Sequence, residues 1–170
     1  MEPLYQVVDE SDQIIGLKPR TKIDFKKDIY RISALWLTNS KGEVLMAQRL
    51  ISKDNDPGKW GPAAAGTLEE DETYESNIYK EAEEEIGLKG VKFDTGPKVR
   101  FHVRESFCQW FFGKCDWPEE DFVPQPSEVE RVSWVPLEQL ETDVNTNPDK
   151  YVPSMDQILQ DLSANKANLV

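Results

Sequence analysis

The chain has 170 residues, 38% hydrophobic and 31% charged, and its 20 Lys and Arg against 32 Asp and Glu leave a net charge of −12. That length suits one domain with a substantial core, and so acidic a surface repels a phosphate backbone at long range, which excludes nucleic-acid polymers as partners. No apolar run is long enough for a membrane, the N-terminus lacks a secretory pattern, and Cys108, Cys115 and the single His102 make neither a disulfide framework nor a metal motif, so the expectation is a reduced, cytoplasmic protein.

Residues 4–20 hold two β-rich runs around a polar turn at 10–13 and predict a hairpin, with residues 21–28 linking it onward. Residues 1–27 are thus expected as an extension and 28–170 as the main domain. Residues 29–38 predict a strand, 39–42 a turn and 43–49 the return strand. The Asp, Asn, Pro and Gly content of 50–62 predicts a loop, and 63–72 leads to a helix over 73–86 that Gly87 ends. Two further strands are expected within 90–103 and 106–115, then an acidic loop, a strand running into a short helix over 129–141, and a closing helix over 154–166 with Met155, Ile158, Leu159 and Leu162 on one side. Strands interrupted by helices predict an α/β fold, a mixed β-sheet flanked by helices, carrying an N-terminal β-hairpin extension.

The helix over 73–86 carries Glu81, Glu83, Glu84 and Glu85 in its last turns, where they face the negative pole of the dipole and one another. Positions i, i+3 and i+4 share a face, so Glu81, Glu84 and Glu85 project from one arc with only Lys80 nearby to compensate. A solvated acidic face is the commoner outcome for a charge run, but such faces usually mix in Lys at i+4. An oxygen-rich cluster on a rigid helix suits Mg²⁺ or Mn²⁺, which keep waters and bind substrates through phosphate oxygens. A carboxylate left over takes a proton from water, which gives hydrolysis of a phosphoanhydride.

The stretch 66–88 resembles the Nudix box, G-x5-E-x7-R-E-U-x-E-E-x-G-U with U apolar, through Gly66, Glu72, Glu81, Ala82, Glu84, Glu85, Gly87 and Leu88, with Lys80 where the pattern has Arg. The resemblance covers roughly residue 28 to the end. It implies the Nudix α/β/α sandwich and cleavage of a nucleoside diphosphate linked to another moiety, or a similar small-molecule diphosphate. It also implies Mg²⁺ (or Mn²⁺) held by Glu81, Glu84 and Glu85, with the Gly66 carbonyl as a further ligand and Glu84 or Glu85 activating water. Family members are often homodimers, for which the N-terminal hairpin is an available surface. Lys80 keeps the charge of the family's Arg without its planar fork, so reduced activity or an altered metal preference is expected. Glu128, six residues before Trp134, matches an additional acidic metal position, and a solvated loop residue is the alternative. Glu72 and Gly87 complete the box as structural positions.

The N-terminal third and "PGKWGPAAAG" are also similar to the isopentenyl-diphosphate isomerase branch of the same superfamily. That branch carries a catalytic Cys and, two residues on, a metal-binding His; Ala65 and Thr67 occupy those places here, and Tyr30 stands where a further metal histidine is placed. The chemistry points to hydrolysis, with isomerase-like activity or a catalytically weak nucleotide-binding or diphosphate-binding module as alternatives. Arg49 is a candidate for a substrate phosphate, with Lys53, Lys59, Arg100 and Arg104 as further cations, and Trp60 is expected as a pocket wall. Trp36, Trp110 and Trp134 are expected in the core, His102 on a strand without a duty, and the cysteines as packed thiols.

Overall fold

The computed structural model describes residues 2–153 and 155–164. The expected hairpin forms as β1 (Leu4–Val8) and β2 (Ile14–Pro19). Its turn is set by the Asp9 carboxylate, which accepts the amides of Ser11 and Gln13, and by Asp12 at φ +59°. β1 then pairs with the start of β3 (Ile29–Thr38) through Val7–Tyr30 and Val8–Ile29, so residues 4–19 lengthen the main sheet rather than stand apart from it.

β3 turns back into β4 (Glu43–Arg49) with Gly42 at φ +75°, a backbone region open to glycine at little cost. Two short strands are not among those expected: β5 (Trp60–Gly61), within the expected loop and paired with β4, and β6 (Ala64–Thr67), in the stretch leading to the helix and paired antiparallel with β3. Their composition has little β-propensity, and pairing with a long neighbour imposes the conformation. After the helix α1 (Tyr74–Ile86) come β7 (Phe93–Phe101) and β8 (Ser106–Lys114). β8 lies parallel to β3 from Tyr30–Ser106 to Thr38–Lys114. β9 (Val129–Pro136) pairs with β4 and leads into α2 (Leu137–Thr146), and α3 (Met155–Ala164) follows. The last expected residues of the closing helix, 165–166, and its first, Ser154, lie outside the described residues.

Period-two alternation divides the core between the sheet's faces. Leu35, Leu37, Leu45 and Ala47 pack with Ile78, Ala82 and Ile86 of α1. Their neighbours Ala34, Trp36, Val44 and Met46 pack on the other face with Leu140 and Val144 of α2 and Met155, Ile158, Leu159 and Leu162 of α3. Helices therefore cover both faces of one mixed sheet, and α1 is fixed with its acidic side beside the edge strand β6.

Candidate active site

α1 begins with a capping box in which the Thr73 side chain accepts from Ser76 N at 3.0 Å while Ser76 Oγ accepts from Thr73 N at 2.9 Å. It ends at Gly87, φ +70°, whose amide returns to Glu83 O while Leu88 N reaches Ala82 O. Burial of Asn77, Ile78, Ala82 and Ile86 turns the opposite side of the helix toward the loop that leaves β6. There Gly66 is required by contact: a Cβ at this position would lie 2.2 Å from Glu81 Cδ. The glycine thus makes room for the carboxylate.

Glu72 is a strut. Its carboxylate takes Lys80 Nζ at 2.6 Å, Glu69 N at 2.8 Å and Asn77 Nδ2 at 2.8 Å. Burial works against the charge, but these donors hold the carboxyl below its usual range. Lys80 also reaches Glu69 at 3.3 Å and stands 3.9 Å from Glu81, so one ammonium ties the pre-helix loop to the acidic face.

The three helix carboxylates differ in surroundings. Glu85 is partly buried and accepts Ala65 N at 3.0 Å; burial and the Glu81 charge push it up to about 8. Glu81 is pushed up to about 7, chiefly by burial, with Lys80 opposing and Glu84 adding to the shift. Glu84 is exposed and makes no hydrogen bond or ion pair among the described residues. The expected convergence is realised as a common wall: among the described residues, no group of three His, Cys, Asp or Glu side chains is already drawn together as a metal centre. The wall nevertheless fits a divalent cation, because neighbouring acids whose ionisation is resisted by burial and mutual repulsion gain from a hard positive charge. Glu128 lies on the same wall and pairs with Lys53.

These groups border a cavity of about 550 Å³ that also takes in Arg49, Lys53, Arg104 and Arg20. Arg49 Nε donates to Asn55 O at 3.0 Å, which leaves its two terminal nitrogens uncommitted among the described residues. Arg104 pairs with Asp56, and Arg100 with Glu10 and Glu105. Trp60 does not line the cavity. It pairs with Gln48 across β4–β5, packs against the core beneath α3 and lies under the Arg131 guanidinium at 5.3 Å, whereas Trp110, expected only as core, does border the cavity. His102 sits in the turn between β7 and β8 with its side chain 72% exposed, not on a strand. Both cysteines are buried free thiols.

One cluster escaped the sequence reading. Gln6, on β1 and buried, donates through Nε2 to Glu69 O at 2.7 Å and Glu72 O at 2.8 Å, and its Oε1 accepts from Arg31 at 2.9 Å. Arg31 Nε also reaches Asp12 at 2.7 Å, and Asp12 further accepts Lys98 at 2.6 Å and the Tyr74 hydroxyl at 3.0 Å. Burial would raise the Asp12 carboxyl, and Lys98 and Arg31 override it to hold the group below its usual value. The N-terminal hairpin thereby grips the loop that links β6 to α1 and carries Glu72. These partners are far apart in sequence, so no local signal announces them.

A mixed sheet between helices, with a glycine loop and an acidic helix facing a cavity edged by cations, defines an α/β/α sandwich of the Nudix class. The chain belongs to that family: the NUDIX domain model matches residues 29–162. An uncharacterized Nudix hydrolase of Yersinia pestis is 29% identical over 148 residues, 86% of this chain and 78% of that one. A prenyl-diphosphate phosphatase of Methanosarcina mazei is 30% identical over 152 residues, 87% of this chain and 88% of that one. In fold, the chain is similar to the crystal structure of DR0079 from Deinococcus radiodurans, with a TM-score of 0.81, 19% identity, and 92% and 97% of the two chains covered. Nudix hydrolases use divalent metal ions, and no helix among the described residues is long and apolar enough to cross a membrane.

Proposed function

We propose that this protein hydrolyses a phosphoanhydride bond in a small diphosphate, a nucleoside diphosphate linked to another moiety or a comparable organic diphosphate, with Mg²⁺ or Mn²⁺ as cofactor. The observation that carries the reading is the wall of Glu81, Glu84 and Glu85 set against the Gly66 loop by Glu72 and Lys80. These three glutamates and the Gly66 carbonyl would hold the cation, which when bound supplies charge for phosphate oxygens and acidifies water. Arg49, through its uncommitted nitrogens, takes a non-bridging phosphate oxygen. Glu84, without another partner, accepts the proton of the attacking water at a carboxylate oxygen. Ala65 N–H fixes the Glu85 rotamer, and Lys80 fixes Glu72 and, through it, the loop.

An isomerase reading is disfavoured, since Ala65 and Thr67 on β6 and Tyr30 on β3 offer neither thiol nor imidazole at the places that branch uses, and the Cys108 thiol that borders the cavity is buried on β8. A non-catalytic binding module is disfavoured because Lys80 keeps the strut to Glu72 that a family Arg would make. The relative named for prenyl diphosphates brings such compounds into the substrate set. On the outer hairpin strand, Ile14 and Ile15 are 52% and 67% exposed, which supports pairing of two copies there, and sedimentation velocity reads that directly.

The test is product release from nucleoside diphosphate sugars, dinucleoside polyphosphates, nucleoside triphosphates and prenyl diphosphates, with Mg²⁺, Mn²⁺ or chelator, for wild type and Glu84→Gln. Cleavage that needs metal and falls at least 100-fold in the variant is the expected result. Cleavage that survives chelation or Glu84→Gln sinks the assignment.

A further inference from the structure

The cavity has two unlike halves. Beside α1 it is charged, with Glu81, Glu84, Glu85 and Glu128 facing Arg49 and Lys53. The other half crosses to the opposite face of the sheet, and strand register writes its floor. Across β6, β3 and β8, Thr67, Ile32 and Cys108 form one row and Ala65, Ala34 and Trp110 the next, and all six border the cavity. Phe101 and, from the α3 side, Val152, Pro153 and Ile158 face them. Further along this face, Trp36, Met46, Leu140 and Leu162 fill the same layer completely. At the floor the small side chains Ala34 and Ala65 stand instead; Ile32, Ala65 and Thr67 are half-buried there, while Ala34, Cys108 and Trp110 are buried beneath the cavity.

A nucleoside placed there would bring ribose hydroxyls and base edges that need partners once desolvated. The six floor side chains supply one hydroxyl and one thiol, and the Trp110 indole N–H is buried without a hydrogen-bond partner. Ser106 Oγ is committed to Arg104 O, and the Asp56 carboxylate is held by Arg104 and Lys59. The floor itself, though not the whole cavity, which Tyr5, Tyr30, Arg20 and Arg104 also border, is therefore matched to hydrocarbon, for which each methylene withdrawn from water is worth about fourfold in affinity. The charged half supplies the complementary contact for a diphosphate on the same molecule.

We propose that the substrate of the activity inferred above, on which this rests, is a diphosphate whose other moiety is aliphatic. Its diphosphate lies at the Glu81, Glu84, Glu85 and Arg49 end, and its hydrocarbon on the Ala34, Ala65 and Ile32 floor. Ala34 and Ala65 set the depth of the tail subsite and hence the chain length accepted.

The experiment separates binding from cleavage. With Glu84→Gln protein and Mg²⁺, calorimetry is run on geranyl diphosphate, isopentenyl diphosphate, inorganic diphosphate and ADP-ribose. Geranyl diphosphate is expected to bind at least tenfold tighter than ADP-ribose and inorganic diphosphate, with isopentenyl diphosphate between. Adding Ala34→Leu is expected to weaken geranyl diphosphate at least tenfold while inorganic diphosphate stays within twofold. Ala65→Leu makes the same test from the neighbouring strand should the first variant not fold. ADP-ribose binding as tightly as geranyl diphosphate overturns the proposal, as do leucine variants that leave the order unchanged. Wild-type turnover distinguishes the two readings: cleavage of ADP-ribose with geranyl diphosphate untouched overturns the tail subsite and keeps the hydrolase, whereas tight binding of geranyl diphosphate without turnover of any compound keeps the subsite and overturns the hydrolase.

Discussion

Replacing Glu85 by Gln removes a charge from a place that resists one in the absence of metal. The Glu85 carboxyl is pushed up from 4.5 to about 8, first by burial and then by the Glu81 charge. A folded-state value above the unfolded one contributes stability that is complete below about pH 4.5 and is lost as the pH rises through about 8. At 1.36 kcal/mol per pH unit, that interval corresponds to about 5 kcal/mol, which coupling to Glu81 and local relaxation reduce to about 2 kcal/mol. Glutamine keeps an acceptor for Ala65 N–H, now 3.0 Å from the carboxylate, and has no charge to desolvate. In chelator at pH 8, Glu85→Gln is therefore expected to melt about 5 °C above wild type, a gap that closes toward pH 5. Mg²⁺ should raise the wild-type Tm more at pH 8 than at pH 6, and raise that of the variant less, because the cation binds the folded acidic wall. Cleavage should fall at least 100-fold in the same variant. Scanning calorimetry from pH 5 to 9 reads the stability terms, and a variant no more stable than wild type at pH 8, or a gap indifferent to pH, refutes the reasoning.

Gly66→Ala drives a Cβ into the Glu81 carboxyl, so activity should drop at least 100-fold with a rise in the Mg²⁺ concentration required; metal titrations of the initial rate show it. Lys80→Arg keeps the contact to Glu72 and should leave kcat/KM within about threefold or improve it, whereas Lys80→Met strands a partly buried carboxylate and should cost about 10- to 100-fold, both read from steady-state kinetics. Gln6→Ala unpairs the Glu69 and Glu72 carbonyls and Arg31, and should lose about 2 kcal/mol in denaturant titration while raising the Mg²⁺ requirement; unchanged metal dependence would reduce Gln6 to a core residue.

What could be read from the sequence was what local geometry controls. The β-rich runs in residues 29–49 foretold β3, β4 and the turn between them, and the helix period placed Glu81, Glu84 and Glu85 on one side of α1 without reference to the rest of the molecule. The four residues of β6 carry no strand signal, since two alanines, a glycine and a threonine become extended only by pairing with β3. Trp60 illustrates a different loss. A Gly- and Pro-rich loop beside the box made it a plausible wall, but the facing of a two-residue strand is set by its pairing with Gln48, and this turns the indole to the α3 core and Arg131. Gln6, Asp12 and Arg31 were silent because their contacts depend on the hairpin docking beside β3.

The acidic end of α1 becomes intelligible once its backbone is counted. Negative charge at a helix C-terminus is costly because the last carbonyls are unsatisfied and the dipole's negative end is exposed. Here the amides of Val123 and Gln125 reach Ile86 O at 3.0 Å and Glu85 O at 2.8 Å, and those of Gly87 and Leu88 take Glu83 O and Ala82 O. The terminal carbonyls are thus answered by the loop before β9 and by the glycine turn, which lowers the electrostatic penalty without placing a Lys or Arg within the final turn, where it would pair with the glutamates and take their place beside a cation. Lys89, beyond the turn, pairs with exposed Glu83, the one acid of the run that faces away from the cavity wall, and leaves the other three with only Lys80, 3.9 Å from Glu81, as an ion-pair partner among the described residues. Backbone donors cap the helix, a single Lys80 braces the loop through Glu72, and the repulsion left among Glu81, Glu84 and Glu85 is the driving force available to bind a divalent ion.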